Sequence, residues 1–155
     1  MAYDAPMKHH GLIILASAVL LLLAGCATGP HPPRGGGQPI VRDLMTTGYC
    51  KCGKCCNWKR NWYFRPVVAS GPNEGKPKKV GQTASGRKAK PHETIAADTA
   101  YYPLGTVIYV PGWGYGKVED RGGAIKGDHI DLFFKSHQQA LNWGRRTKSV
   151  KIWKP

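Results

Sequence analysis

Short alternating runs of apolar and polar residues dominate the second half of the chain and predict β-strands separated by turns. The β-branched run 106–110 lies between Pro103-Leu104-Gly105 and Pro111-Gly112, which favour turns. Twenty glycines and twelve prolines argue against long helices. The chain is therefore predicted to be mainly β and to form a small barrel. The predicted strands are 106–110, 116–120, 130–134 and 149–153, with weaker candidates at 44–49, 67–70 and 79–83.

One short helix is predicted near the C-terminus, over residues 137–143. Ser136 is followed three residues later by Gln139, which is the spacing of a capping box. Gly144 stands where a helix commonly ends, because glycine adopts the left-handed conformation without steric cost.

The N-terminus resembles a lipoprotein signal peptide. Lys8 and two histidines precede an uncharged run, 11–24, whose roughly 14 residues fall short of the roughly 20 that a spanning helix needs. This disfavours a permanent transmembrane anchor. The run closes with Leu23-Ala24-Gly25-Cys26, which is similar to a lipobox and implies an acylated Cys26. We expect a signal peptide at 1–25, a Gly- and Pro-rich linker at 26–40 and a barrel domain at 41–155.

This reading predicts an exported lipoprotein. In a Gram-negative cell it would lie in the outer membrane facing the periplasm, and in a Gram-positive cell on the outer face of the plasma membrane. The net charge of +14 suits an anionic partner. Because an exported lipoprotein rarely meets nucleic acid, the expected partners are cell-wall polymer and lipid headgroups. The chain is expected to act as a monomer.

Four cysteines fall within seven residues: Cys50, Cys52, Cys55 and Cys56. An even number in an oxidising compartment favours disulfides, and the three possible pairings stay open. A structural zinc site is the alternative, although four ligands in seven residues leave little backbone to surround a metal ion. Free thiols are the third possibility.

Nearby, Trp58, Trp62 and Tyr63 alternate with cations, a pattern that suits either stacking on sugar rings or packing on the barrel.

Three aspartates lie at the edges of apolar segments: Asp98, Asp120 and Asp131. Lost solvation raises the pKa of a carboxyl group, so one of them can serve as a general acid while ionised neighbours stabilise a developing cation. Asp131 lies between Ile130 and Leu132 on a predicted strand, so its side chain points away from theirs. Asp128 follows Gly127 and is interpreted as a turn residue.

These acids and the glycine-rich turn between them resemble the three-aspartate (3D) domain family and the catalytic barrel of membrane-bound lytic transglycosylase A. The matching segments are Ala97-Asp98, Pro103-Leu104-Gly105-Thr106, Gly114-Tyr115-Gly116, Glu119-Asp120, Gly122-Gly123-Ala124-Ile125-Lys126-Gly127 and Ile130-Asp131-Leu132-Phe133. Arg121 departs from the threonine common in the family.

The resemblance implies a double-psi β-barrel that cleaves the MurNAc–GlcNAc β-1,4 bond of peptidoglycan to a 1,6-anhydro product, without a metal or other cofactor. It implies that Asp131 is the acid/base and that Asp120 and Asp98 are its companions. The residues expected to contact the glycan are Gly122, Gly123, Lys126, Trp113 and Tyr115. A non-catalytic peptidoglycan-binding protein and a muramidase-type hydrolase are the alternatives.

Overall fold

The computed structural model describes residues 31–33 and 37–155. The predicted signal peptide and the acylation site Cys26 lie outside the described residues. None of the helices in the described part is both long and apolar enough to cross a membrane.

Six strands form a closed barrel and two more form a small hairpin sheet beside it. A four-residue helix, α1 (Gly53–Cys56), follows the first strand, and α2 (His137–Trp143) precedes the last. The strands are β1 (Ile40–Tyr49), β2 (Trp58–Arg60), β3 (Pro66–Val68), β4 (Thr94–Ala97), β5 (Val107–Val110), β6 (Gly114–Asp120), β7 (His129–Phe133) and β8 (Arg146–Trp153).

The order of strands around the barrel is β1-β7-β4-β6-β5-β8, and β2 pairs with β3 in the hairpin. Two neighbouring pairs are parallel, β1 with β7 and β4 with β6, and the other four are antiparallel. Exchanging the first three barrel strands with the last three leaves this set of neighbours unchanged. The barrel thus consists of two interlocked halves with equivalent connectivity, and the predicted mainly β barrel of double-psi type is confirmed.

Alternate residues of the barrel strands point to opposite faces and form two separate apolar clusters. Ile95, Ile130 and Leu132 belong to the main core inside the barrel. Ala96 and Phe133 point outwards and pack with Tyr49 in a smaller cluster, against Cys55, Cys56 and Ala89. One part of the barrel's outer face is therefore covered, and polar side chains in this part lose solvent.

The predicted helix is confirmed over 137–143. The backbone N–H of Gln139 donates to the Ser136 hydroxyl oxygen at 3.2 Å, and Gly144 ends the helix with a φ of 65°. One strand prediction needs correction, and one strand was missed. Residues 79–83 form no strand and contribute only an isolated bridge between Gln82 and Lys88. The missed strand is β4, and the reason is that two of its four residues are alanines, which have low strand propensity.

Candidate active site

Three adjacent strands align Asp131, Ala96 and Asp120 in one row across the outer face of the barrel. Ala96 pairs with Asp131 on β7 and with Asp120 on β6, and Asp131 also pairs with Thr47 on β1. Two strand spacings separate the acids, so their Cα atoms lie about 10 Å apart. The small side chain of Ala96 lies between them in the row and packs in one buried cluster with Tyr49 and Phe133.

A register shift in β6 brings Asp120 into this row. Ile95 pairs with Val118, but the next residue, Ala96, pairs with Asp120, so Glu119 is an extra residue in the ladder. In a regular ladder Asp120 would point inwards like Val118, since side chains alternate. The bulge turns it to the outer face, a re-aiming that bulges commonly produce beside active sites.

A cleft of about 300 Å³ lies over the two acids. Gly122 and Gly123 line one side, where the missing side chains let a ligand approach the backbone. Gly122 is also required sterically, because a Cβ there would lie 2.8 Å from the Cγ1 of Ile125. Four cations line the cleft as well and favour an anionic ligand. They are Lys51, Lys78, Lys79 and Arg121.

Burial raises the pKa of Asp131 to about 6, and the charge of Asp120 contributes in the same direction. The Thr47 hydroxyl donates to its Oδ1 at 2.9 Å and opposes this shift. The same hydroxyl oxygen lies 2.9 Å from Nε2 of His129. Because the hydroxyl proton is given to Asp131, Nε2 must carry the proton that Thr47 accepts. The hydrogen bonds from His129 to Thr47 and from Thr47 to Asp131 therefore fix the orientation of a carboxyl group whose pKa is about 6.

Asp120 has a different environment, in which three donors contact its two oxygens. The backbone N–H groups of Ala84 and Arg121 donate to Oδ1 at 3.0 and 2.9 Å. The Tyr49 hydroxyl donates to Oδ2 at 3.2 Å. Burial raises the pKa of Tyr49 well above its usual range, so this phenol stays protonated and remains a donor. Hydrogen bonds of this kind suit an ionised carboxylate.

Asp98 does not belong to the row of acids, which corrects the expectation that it is a companion of Asp131. Because β4 ends at Ala97, Asp98 opens the next turn, and its carboxylate accepts N–H bonds from Ala100 and Gly127, both at 3.2 Å. These bonds lower its pKa. Asp128 is also remote from the row and pairs with Arg42 at 3.1 Å.

Only some of the residues expected to contact the glycan lie in the cleft. Gly122 and Gly123 line the cleft, whereas Lys126 is exposed outside it. Trp113 needs correction: it is 7% exposed and belongs to the main core, because Gly116 and Ile95 pack around its ring. Tyr115 also lies elsewhere and contacts the rings of Tyr109 and Trp153.

The aromatic segment near the cysteines ends in an exposed tip. Trp62, Tyr63 and Phe64 follow β2 at the end of the hairpin and are 78, 62 and 76% exposed. Trp62 therefore does not pack on the barrel. Trp58 is half-buried, and its indole N–H donates to the Lys51 carbonyl at 2.9 Å.

The four clustered cysteines are free thiols in the structure, so the favoured disulfides are not formed. Cys50, Cys52 and Cys55 converge on His137, while the Cys56 thiol donates to the Cys50 carbonyl oxygen instead. Cys55 and Cys56 also line the cleft above the acids. The thiol cluster and the acid cleft thus share one wall.

Sequence reasoning missed Thr47, Tyr49, Ala96 and His129 as parts of the site. Only the register of strand pairing reveals them: Thr47 and Tyr49 lie two positions apart on β1, so both face the same side beside β7. His129 precedes Asp131 by two residues and so shares its face. None of these residue types at these spacings indicates chemistry by itself.

Two groups of proteins are similar to this chain. Residues 93–154 match the family model of the 3D domain. A 75-residue stretch is 45% identical to the cell wall-binding protein YocH of Bacillus subtilis strain 168, covering 46% of this chain and 26% of YocH. The putative cell wall shaping protein YabE of the same strain is 41% identical over 75 residues, 46% of this chain and 18% of YabE. The chain thus spans about a quarter or less of these relatives' lengths.

Among solved structures, E. coli MltA with bound chitohexaose is similar with 21% identity and a TM-score of 0.41, covering 58% of this chain and 32% of that one. The lytic transglycosylase LtgG of Burkholderia pseudomallei is 26% identical with a TM-score of 0.36, and the match covers 46% of this chain and 25% of the LtgG chain.

Proposed function

We propose that this chain, whose residues 93–154 match the family model of the 3D domain, binds the glycan strands of peptidoglycan and cleaves them as a lytic transglycosylase. The observation that carries the proposal is the pair Asp131 and Asp120, two carboxylates in one row with different environments over an open cleft. A carboxyl group with a pKa of about 6 is suited to give and regain a proton near neutrality.

In the proposed reaction, protonated Asp131 donates its proton to the O4 atom of the MurNAc–GlcNAc β-1,4 bond as that bond breaks. Positive charge develops on C1 and the ring oxygen of MurNAc. The ionised Asp131 then accepts the proton of the MurNAc C6 hydroxyl while O6 bonds to C1. The product is a 1,6-anhydro sugar, and Asp131 returns to its protonated form without consumption of water.

The neighbouring groups support these two proton transfers. Thr47 and His129 hold the Asp131 carboxyl in one orientation, and fixed orientation lowers the entropic part of the barrier. The carboxylate of Asp120, held by its three donors, supplies negative charge for the developing cation. Gly122 and Gly123 allow the polymer to pass close to the backbone.

The charge of the cleft fits the chemistry of the proposed substrate. MurNAc carries a lactyl carboxyl group, which bears the stem peptide or, when bare, a negative charge, and stem peptides carry carboxylates of their own. Lys51, Lys78, Lys79 and Arg121 line the same cleft as the acids and would attract these groups. We include in the proposal the acylated Cys26 and the flexible linker, which would tether the domain to a membrane within reach of the wall.

A non-catalytic role is the second candidate, and one observation favours it. The relatives YocH and YabE are named for cell-wall binding and shaping. In this role the barrel would hold the glycan, and the acids would only shape the cleft.

Digestion of purified sacculi by the full chain, followed by mass spectrometry of the released fragments, tests the proposal. We expect fragments that end in 1,6-anhydro-MurNAc. Reducing MurNAc ends would instead indicate a hydrolase of the muramidase type. Intact sacculi between pH 4 and pH 8 that still retain the protein in a sedimentation assay would overturn catalysis and leave binding.

A further inference from the structure

A second group of reactive side chains lies beside the acid cleft, and the proposed cleavage does not use it. The three thiol sulfurs of Cys50, Cys52 and Cys55 and a ring nitrogen of His137 all lie within 4.8 Å of one another. Cys50 Sγ and Cys55 Sγ are 3.8 Å apart. Nδ1 of His137 is 3.6 Å from Cys52 Sγ and 3.3 Å from Cys55 Sγ.

These distances are close to the edges of a tetrahedron around a zinc ion. Zinc binds thiolate sulfur at about 2.3 Å and imidazole nitrogen at about 2.0–2.1 Å, with four ligands at tetrahedral angles. For such lengths, two sulfurs should be about 3.8 Å apart, and a sulfur and a nitrogen about 3.5–3.6 Å apart. Three of the six edges, at 3.8, 3.6 and 3.3 Å, lie close to these values, and the other three are no longer than 4.8 Å, so side-chain movements of about 1 Å or less would complete the tetrahedron.

The fold supplies the separated ligands that the cysteine segment alone lacks. Cys50 directly follows β1, Cys52 is the N-cap of α1, and Cys55 lies within that helix. The fourth group, His137, is the first residue of α2, more than 80 positions further along the chain. Cys52 and Cys55 form a Cys-x-x-Cys turn, and the helical segment of α1 curls both thiols towards the histidine. The backbone therefore surrounds the site from two sides.

We propose that Cys50, Cys52, Cys55 and His137 bind a structural Zn²⁺ ion. Three thiolates and one imidazole are the soft and borderline ligands that zinc prefers, and a complete set of four protein ligands leaves no open position for a substrate. The site is accessible to a metal ion from solvent, because Cys50, Cys52 and His137 line an open cleft of about 520 Å³.

The bound ion would connect the segment 50–56 to α2. This segment contributes Lys51, Cys55 and Cys56 to the wall of the acid cleft. Zinc would therefore stabilise one wall of the acid cleft without touching either carboxylate. This role does not depend on glycan cleavage, since a wall-binding protein would use the same wall.

A disulfide is the competing use of these thiols. A bond between Cys50 and Cys55 requires their sulfurs to close from 3.8 Å to about 2.05 Å. It would leave the Cys52 thiol and the His137 ring without a common partner. Zinc, in contrast, engages all four groups at once, and this difference favours the metal.

The test measures metal content in the full chain. The protein is purified under reducing conditions, loaded with Zn²⁺, passed through a desalting column and analysed by atomic emission. We expect equimolar zinc in the wild type and in Cys56→Ser, a matched control whose thiol donates to the Cys50 carbonyl oxygen and does not belong to the cluster. The variants Cys52→Ser and His137→Ala should lose most of it. Circular dichroism confirms that each variant is folded.

Replacement of Zn²⁺ by Co²⁺ adds a readout that does not depend on folding alone. A tetrahedral Co²⁺ ion with three thiolates gives an intense visible spectrum and a thiolate charge-transfer band, which Cys52→Ser should weaken and His137→Ala should shift. Either of two results would overturn the proposal. One is wild-type protein that stays zinc-free after loading and whose four clustered thiols, at Cys50, Cys52, Cys55 and Cys56, all react freely with Ellman's reagent. The other is a metal-free wild type whose mass shows a disulfide and which binds no Zn²⁺ after reduction. Sacculus digestion is not used here, so failure of the cleavage proposal would leave this test unaffected.

Discussion

Asp131 lies on β7 and Asp98 directly follows the neighbouring strand β4, yet their surroundings shift the two pKa values in opposite directions. Asp131 is covered on the outer face, and burial raises its pKa to about 6. Asp98 lies in an exposed turn, where two backbone N–H groups lower its pKa. Both follow apolar residues in sequence. The difference comes from burial at Asp131 and from backbone donors at Asp98, and it separates a group that can exchange a proton from one that stabilises a turn.

The largest effect is expected for Asp131→Asn, which removes the proton donor but keeps the shape of the side chain. Cleavage of sacculi should fall by about 10²–10⁴-fold, the usual contribution of a general acid. Release of soluble muropeptides, followed by chromatography, measures the loss. Asp128→Asn is the matched control, since Asp128 lies three positions away outside the row. Equal losses in the two variants would contradict the assignment.

Asp131→Asn should also be more stable than the wild type at neutral pH. The folded pKa of Asp131 is raised from 3.8 to about 6, so its ionisation costs folding free energy as the pH rises through this window. At pH 7 the cost is at most about 3 kcal/mol, and it vanishes below pH 4. Urea unfolding at pH 7 and pH 4 measures the gain. An unstable Asp131→Asn at both values would show that lost folding, rather than lost chemistry, explains inactivity.

A smaller effect is expected for Thr47→Val, which removes the donor that favours ionised Asp131. The pKa of Asp131 should rise further, because that hydrogen bond opposes burial. Since the acid must be protonated, kcat/KM declines above its pKa, and the alkaline limb should move upwards by about one pH unit. A rate–pH profile measures this. Thr47→Ser retains the hydroxyl and should keep the wild-type limb; a shift in Thr47→Ser of equal size would assign the change to packing.

The smallest effect on cleavage is expected for Asp98→Asn. Because Asp98 lies outside the cleft, the rate should stay within about twofold of the wild type. Stability should respond instead. Its lowered pKa stabilises the fold above the ordinary carboxyl pKa, and this contribution disappears as the pH falls through the lowered value. Melting temperatures at pH 7 and pH 3 measure the difference from wild type, which should shrink in acid. Complete inactivity of a folded Asp98→Asn would contradict the assignment of Asp98 to a structural role.

Much of the barrel could be predicted from sequence because its signals are local. Strands of β-branched residues between glycines and prolines, and the helix with Ser136 and Gly144 at its ends, are readable within a few residues. The outward direction of Asp131 also follows from alternation on one strand. In contrast, β4 carries a weak signal because alanine suits a strand poorly, although it forms the centre of the acid row.

The parts that escaped prediction depend on pairing between distant segments. The bulge at Glu119 decides which way Asp120 points, and only the register with β4 reveals it. The contact between Thr47 and Asp131 joins residues 84 positions apart. His137 completes the thiol cluster from 82 positions beyond Cys55. Composition and spacing within one segment carry no information about such pairs.

The position of β1 has a consequence for how the molecule folds. This strand comes first among the barrel strands but pairs with β7 and β8, so the barrel closes only when the ends of the domain meet. Such non-local contacts slow folding, because a long loop must close before its contacts form. The proton-exchanging carboxyl of Asp131 gains its Thr47 partner only through this non-local pairing. A nascent or partly unfolded chain therefore has the acids but not the assembled site, and chemistry appears only together with the completed fold.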